Sequence, residues 1–248
     1  MNEGFVPGFF AGIQALVTGC GLLAEPGMRR YAILPLILSV LAFVVLVVLA
    51  VFFFGDLAGW VRDQLPGWLL WTVWLLWIAL AAAFVFGFYF TFTMMVGLVG
   101  LPIFMLLANE VERRMTGRLP ESHRGVLYLT WIGFWRQFPR FLYLGIWLAV
   151  ILVATLVLFF IPLVNFLIAP MWFLFGSWAF SVMMSDFPLG ARDLAWPEQR
   201  ALIKRYRGRV LGLGVASGAM ALIPVLNLIL LAAATAGVTV AWIEVLEE

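Results

Sequence analysis

Residues 31–54 read YAILPLILSVLAFVVLVVLAVFFF, an apolar run without one charged side chain. A helix rising about 1.5 Å per residue over this length crosses the roughly 30 Å hydrocarbon core of a bilayer with some tilt. Working outward, three more apolar stretches follow at about 68–108, 141–185 and 210–243. The chain of 248 residues is 65% hydrophobic and 11% charged, with mean hydropathy +1.09. A soluble core of that size cannot hide so much apolar surface. The solvent is lipid, and the expected fold is an all-α integral membrane protein, a single membrane domain over 1–248.

The stretches differ in kind. As one helix, 68–108 would be about twice the thickness of the bilayer core, so it either protrudes or breaks near Gly97, Gly100 and Pro102. The third and fourth stretches share an interruption: Ile161-Pro162-Leu163-Val164-Asn165 is matched by Ile223-Pro224-Val225-Leu226-Asn227. Each copy is followed by an apolar arm with a tryptophan (Trp178, Trp242) and then an acid (Asp186, Glu244). The repeat predicts two helical hairpins with tips at Pro162 and Asn165 and at Pro224 and Asn227. The arm 210–223 is short for a crossing, which favours a re-entrant segment whose non-helical tip is buried in protein or wetted. Ordinary or kinked hairpins meeting the far surface remain the alternative. The expectation is thus two long transmembrane helices (31–54 and 68–108) and two partly inserted, re-entrant hairpins (141–185 and 210–243). An N-terminal interfacial helix over about 5–24 precedes them, because Phe9, Phe10, Ile13, Leu16 and Val17 there mix with Gln14 and Thr18. Residues 126–138, tryptophan-rich and flanked by Arg124, Arg136 and Arg140, read as interfacial too.

Two crossings and two returning hairpins put both termini and all long loops on one face. Of the 15 Lys and Arg residues, only Arg62 falls outside that face. The asymmetry fits the positive-inside rule and makes the face cytoplasmic. It also accounts for the pI near 9.0, so the basic balance does not call for nucleic acid. The N-terminus lacks the basic start of a secretory signal, so the chain is expected to insert as it stands. A single cysteine (Cys20) and a single histidine (His123) exclude an internal disulfide and the Cys- or His-clustered metal sites. The lone lysine, Lys204, stands outside any phosphate-loop motif. Few nucleophile, acid/base or metal sets can be built from such an inventory. No enzyme activity, cofactor or metal is expected.

The polar residues that remain form three groups. Glu25-Pro26-Gly27-Met28-Arg29-Arg30 stands directly ahead of the first span. A Pro-Gly turn followed by a helix start presents free N–H groups and the positive end of the helix dipole, and two arginines add forked donors suited to an oxyanion. The competing role is plain orientation of the span and contact with lipid headgroups. Glu110, Glu112, Arg113 and Arg114 end the long second stretch, with Glu110 and Arg114 four apart on one helix face; a solvated extension is the simpler account. Asp186 and Glu244 border apolar arms, where acids line a polar path, take up protons, or mark the helix exit. These six are the pore or coupling candidates. Gly208, Gly212, Gly214, Ala216 and Gly218 allow close helix contact.

The chain resembles the CysZ family of bacterial sulfate permeases over nearly its whole length. The resemblance rests on Pro26-Gly27-Met28-Arg29-Arg30 with Leu34-Pro35-Leu36, and on Leu106-Leu107-Ala108 leading to Glu112, Arg114 and Thr116-Gly117. The two Ile-Pro-x-x-Asn tips, Ala169-Pro170 with Trp172-Phe173-Leu174-Phe175, Asp186-Phe187-Pro188 and Gly237 with Trp242 complete it. The resemblance implies sulfate uptake (sulfite as a possible second anion) across the inner membrane for reductive assimilation into cysteine, without ATP hydrolysis, by a channel-like or proton-linked route. It implies homo-oligomeric assembly among membrane lipids, and it maps sulfate contacts onto Gly27, Arg29 and Arg30. Asn109 departs from the acid common in relatives, which puts a carboxylate role there in doubt or moves it to Glu110. Ala232 replaces a proline that often follows the second tip. A non-transporting scaffold, or a sensor of anions or lipid headgroups, is the competing function.

Overall fold

Three prolines sit inside long helices without ending them. The computed structural model describes residues 4–64, 73–118, 126–161 and 163–247, and among these every regular element is helical. Helix α1 is Phe5–Ala24, α2 Arg29–Gln64 with Pro35 inside, α3 Val73–Thr116 with Pro102 inside, and α4 Val126–Phe159 with Pro139 inside. Of the two alternatives for the second stretch, the unbroken one holds, since α3 runs on through Gly97, Gly100 and Pro102, and 126–138 forms the first part of α4. An interior proline costs about 3 kcal/mol in water. In lipid, leaving a whole turn of backbone unpaired costs more, so the helix runs through.

Five described segments are long and apolar enough to cross a membrane: Phe5–Ala24, Arg29–Leu49, Gln137–Phe159, Asn165–Ala191 and Leu230–Glu247. Length and composition do not separate a crossing helix from a hairpin arm. The expected span 31–54 lies within α2. The expected span 68–108 starts outside the described residues and continues as α3.

The chain forms two compact units, residues 34–101 and residues 1–33 with 102–248. In the first, α2 and α3 meet through Phe43, edge-on to Phe88 at 5.7 Å, with Phe84 stacked on Phe88 at 6.5 Å. Phe52, Phe53, Val85 and Phe86 are largely exposed, as lipid-facing side chains are.

The second unit holds the packed core. Its first hairpin is α4, a 3-10 turn at Asn165–Leu167 and α5 (Ile168–Met184), joined by the Trp172 indole N–H donating to Thr155 Oγ1 at 2.9 Å. Two short helices follow, α6 (Asp186–Ala191) and α7 (Trp196–Arg205). The Glu198 carboxylate accepts the Ala195 N–H at 2.9 Å and closes the start of α7. The second hairpin is α8 (Arg207–Ala221), α9 (Pro224–Asn227) and α10 (Leu230–Glu247). Asn165, Pro224 and Asn227 lie at exposed tips, beside Leu163 and Val225, which are 88% and 74% exposed. Pro162 lies outside the described residues.

Glycine sets the approach of the core helices. Helix α1 buries Gly8, Gly12, Ala15, Leu16, Gly19 and Leu23, one helical face of small residues, against α8 and α10. A Cβ on Gly12 would run into the Arg209 carbonyl of α8, and one on Gly212 into the Phe9 carbonyl of α1. Gly237 of α10 lies so close to α1 that a Cβ would stand 2.7 Å from the Leu16 Cα. On the other side of α8, Gly214 packs under the Ser177 carbonyl of α5. Backbones at this distance gain dense van der Waals contact without the hydrophobic drive available in water. The outer side of α1 keeps Phe10, Gln14, Val17 and Thr18 exposed.

Candidate functional site

The segment between α1 and α2 is a turn at 25–28, with Met28 N–H donating to Glu25 O at 3.2 Å, and α2 begins at Arg29. Gly27 has φ +87°, the left-handed region open to glycine and strained for other residues. A Cβ there would also stand 3.2 Å from Arg114 Nη2. Arg114, from the last turn of α3, holds the turn from a distant part of the chain. Its Nη1 pairs with Glu25 Oε2 at 2.7 Å, its Nη2 donates to Pro26 O at 3.3 Å, and its Nε donates to Glu110 Oε1 at 3.2 Å. Arg113 pairs with the same Glu110 at 2.7 and 2.9 Å. The Arg113 hydrogen bonds, with help from Arg114, hold the Glu110 carboxyl down at about 2, well below its ordinary 4.5. Helix α3 then stops at Gly117 (φ +72°), whose N–H returns to Arg113 O at 3.0 Å.

Arg29 and Arg30 are both exposed on the first turn of α2. Arg29 Nε donates to Ala24 O at 2.9 Å, the end of α1. Arg30 stacks over the Tyr31 ring at 4.9 Å and donates to its hydroxyl at 3.2 Å. Each guanidinium keeps further N–H groups beyond those single bonds. Next to them are the backbone N–H groups of Arg29 and Arg30 at the start of α2, which have no partner within the helix, while Tyr31 N–H donates to Met28 O at 3.0 Å. The result is a solvent-facing cluster of donors with the nearest carboxylate, Glu25, neutralised by Arg114. Gly27, Arg29 and Arg30 are thus brought together with Glu110, Arg113 and Arg114, six candidates from two distant stretches.

The other candidates stand apart. Glu112, two residues from Glu110 and so on the opposite side of α3, pairs with Arg192 at 2.9 Å. Asp186, at the start of α6, is bonded to the buried Arg140 of α4 and accepts from Gln137 Nε2 at 3.0 Å. Glu244 of α10 pairs with Arg209 of α8 at 2.9 Å, while Arg209 also donates to Ala241 O at 3.2 Å. Among the described residues, the tip residues Asn165, Pro224 and Asn227 share no ion pair or side-chain hydrogen bond with these groups.

Arginines 140, 192 and 209, read from sequence as charges on the cytoplasmic face, are the partners of these acids. Gln199 joins them, accepting from Arg140 and donating to Leu194 O at 2.8 Å. Arg140 is fully buried, with its guanidinium 5.3 Å over the Trp196 ring. A local signal existed: Arg140 stands in Phe138-Pro139-Arg140-Phe141 and Arg209 just ahead of Val210-Leu211, and ionisable groups among apolar ones seek a partner. Which acid each would find, dozens of residues away, was not legible.

A family model described as Sulfate transporter CysZ/Etoposide-induced protein 2.4 matches residues 15–232. The chain is 33% identical over 239 residues to a protein named Sulfate transporter CysZ from Pseudomonas aeruginosa (strain LESB58), covering 94% of both chains. It is similarly 33% identical over 243 residues to the Sulfate transporter CysZ of Pseudomonas fluorescens, covering 94% of this chain and 93% of the other. It is 29% identical over 244 residues to that of Salmonella paratyphi A, at 94% and 92% coverage.

Proposed function

We propose a function from this premise: the chain belongs to the sulfate transporter CysZ/etoposide-induced protein 2.4 family. It is a multi-pass membrane transporter that moves sulfate inward across a bacterial inner membrane, supplying reductive assimilation into cysteine, with sulfite as a second anion. The observation that carries this is the turn at Gly27, pinned by Arg114 and followed by two exposed arginines on a helix start. A tetrahedral dianion there accepts from the backbone N–H groups around Gly27 and from the forks of Arg29 and Arg30. Glu25, the carboxylate beside the turn, is already engaged by Arg114 and repels the anion less.

Around this site the whole chain works as one membrane domain with two long crossing helices, α2 and α3, and two hairpins that enter the membrane without crossing it. The exposed apolar tips at Leu163 and Val225 suit immersion in lipid or contact between copies of a homo-oligomer. The exposed mixture of Phe10, Gln14, Val17 and Thr18 suits an interfacial α1. The concentration of basic residues on one face supports cytoplasmic termini.

A dianion entering against about −100 mV climbs roughly 4.6 kcal/mol of electrical work. Uptake is drawn either by the sulfate gradient and its consumption, through a channel-like path, or by protons carried on Glu112, Asp186 or Glu244. Uptake of labelled sulfate into liposomes holding the purified chain tests both points. Wild-type flux is expected to collapse in Arg29→Ala/Arg30→Ala; equal flux in the variant sinks the site, and no flux in either sinks the transport function. At fixed voltage, flux that rises on acidifying the outside identifies proton linkage, and flux that ignores it identifies a passive path.

A further inference from the structure

Helix α7 carries Arg200 and Lys204 one turn apart, followed at once by Arg205 and Arg207, and all four are exposed. Its inner side is Gln199 and Ile203, both buried. Among the described residues no carboxylate pairs with any of the four, and no acid occurs between Glu198 and Glu244. Like charges four apart on a helix repel. A stripe of this kind is relieved by counter-charge from outside the protein.

The surroundings say which counter-charge. The Arg200 guanidinium lies 5.1 Å over the Tyr143 ring of α4, where Phe141, Leu142 and Ile146 face outward. Arg207 lies 5.9 Å over the Phe5 ring, the first residue of α1, where Val6 and Phe10 face outward. Arg205 lies 5.4 Å over Tyr206. The stripe is therefore joined at both ends, through aromatic rings, to the edges of apolar surfaces that face lipid. Arginine and lysine with aromatic neighbours at such a boundary occupy the headgroup layer.

We infer that Arg200, Lys204, Arg205 and Arg207 form a docking surface for the phosphates of anionic phospholipids. Planar guanidinium groups stacked on rings have their N–H edges free for phosphate oxygens. The site is distinct from the Gly27 turn and serves to fix the depth of α7 and of the start of the second hairpin.

The test uses the full chain in nanodiscs of phosphatidylcholine containing a minor fraction of phosphatidylglycerol, with retained lipid counted by native mass spectrometry. Each basic residue near a surface contributes a several-fold preference for anionic lipid. The wild type is expected to retain phosphatidylglycerol well above its mole fraction. Arg200→Gln/Lys204→Gln/Arg205→Gln/Arg207→Gln is expected to lose at least tenfold of that enrichment, and the milder Arg200→Gln/Lys204→Gln to fall between, which decides the matter if the quadruple variant misfolds. Unchanged enrichment in the variants overturns the inference. So does displacement of phosphatidylglycerol by inorganic sulfate or phosphate but not by chloride at matched ionic strength, since the stripe is then a site for free oxyanions.

Discussion

Two of the places where arginine meets acid do opposite work. At the turn before α2, the Arg113 and Glu25 side chains are 54% and 48% exposed, and Arg29 and Arg30 face solvent. Around α6 and α7, Arg140 is fully buried and the Glu112 side chain is 9% exposed. Water screens the outer members of the first set, although Glu110 and Arg114 between them are only 12% and 28% exposed, so its pairs contribute less to stability than buried ones and its outer donors stay available to a ligand. Burial makes the second set costly to assemble and more costly to break, so its charges are consumed in fixing helices to one another. Formally similar residues thus divide into an exposed set with donors to spare and a buried clasp.

The sharpest way to break this contrast is to remove one charge from the clasp. Arg140→Ala leaves Asp186 buried and unpaired, and a loss of about 3–5 kcal/mol is expected. Arg140→Leu/Asp186→Leu removes both charges and is expected to lose much less. Thermal unfolding in detergent followed by tryptophan fluorescence compares them; a wild-type melt for Arg140→Ala would show that the buried pair holds nothing.

At the turn the expectation reverses. Arg29→Ala/Arg30→Ala should melt within about 0.5 kcal/mol of wild type, while sulfate binding by calorimetry weakens tenfold or more, each charge-assisted bond contributing about 1.5–3 kcal/mol. A falling melt with intact binding would assign these arginines to the clasp class.

Arg114 tests the middle ground. Arg114→Ala frees the turn and leaves Glu25 uncompensated beside the anion, so sulfate affinity should drop several-fold, and Glu25→Gln in the same chain should restore part of it. Absence of that recovery in calorimetry would mean that Arg114 acts by shape alone.

The smallest effect is set by acid. Glu110 ionises at about 2 in the folded chain and near 4.5 ordinarily. A carboxylate depressed on folding stabilises the fold fully above its unfolded value and loses that contribution as pH falls through the folded one. Between about pH 4.5 and 2 the grip of Arg113 and Arg114 should slacken, with sulfate affinity declining modestly as a consequence. The slope should vanish in Glu110→Gln, which calorimetry at stepped pH would show.

Which parts were legible follows the same division. The helical membrane class and the long helix over 31–54 came from uninterrupted apolar runs, a signal carried within a few turns. The turn at Gly27 and the helix start after it were legible for the same reason, since Pro26, Gly27, Arg29 and Arg30 are neighbours in the chain. The roles of Arg140, Arg192 and Arg209 were not, because each meets its acid 46, 80 and 35 residues away. The grip of Arg114 on Glu25 spans 89 residues and was equally hidden, although its pairing with Glu110 four residues back was expected. Whether α3 would break at Pro102 or run on past the bilayer thickness was left open by the sequence, because propensities measured in water overstate the cost of proline where the backbone has no water to turn to.

The glycine face of α1 has a consequence for biogenesis. Helix α1 finds its close-packed partners in α8 and α10, which are made long after it. At about 5–20 residues per second, roughly 10–40 s of synthesis separate the end of α1 from the start of α10. For that interval Gly19, which closes on Gly237 of α10, lacks the helix it packs against. A chain truncated before Leu230 never completes the match, so quality control that recognises an uncovered small-residue face would single it out.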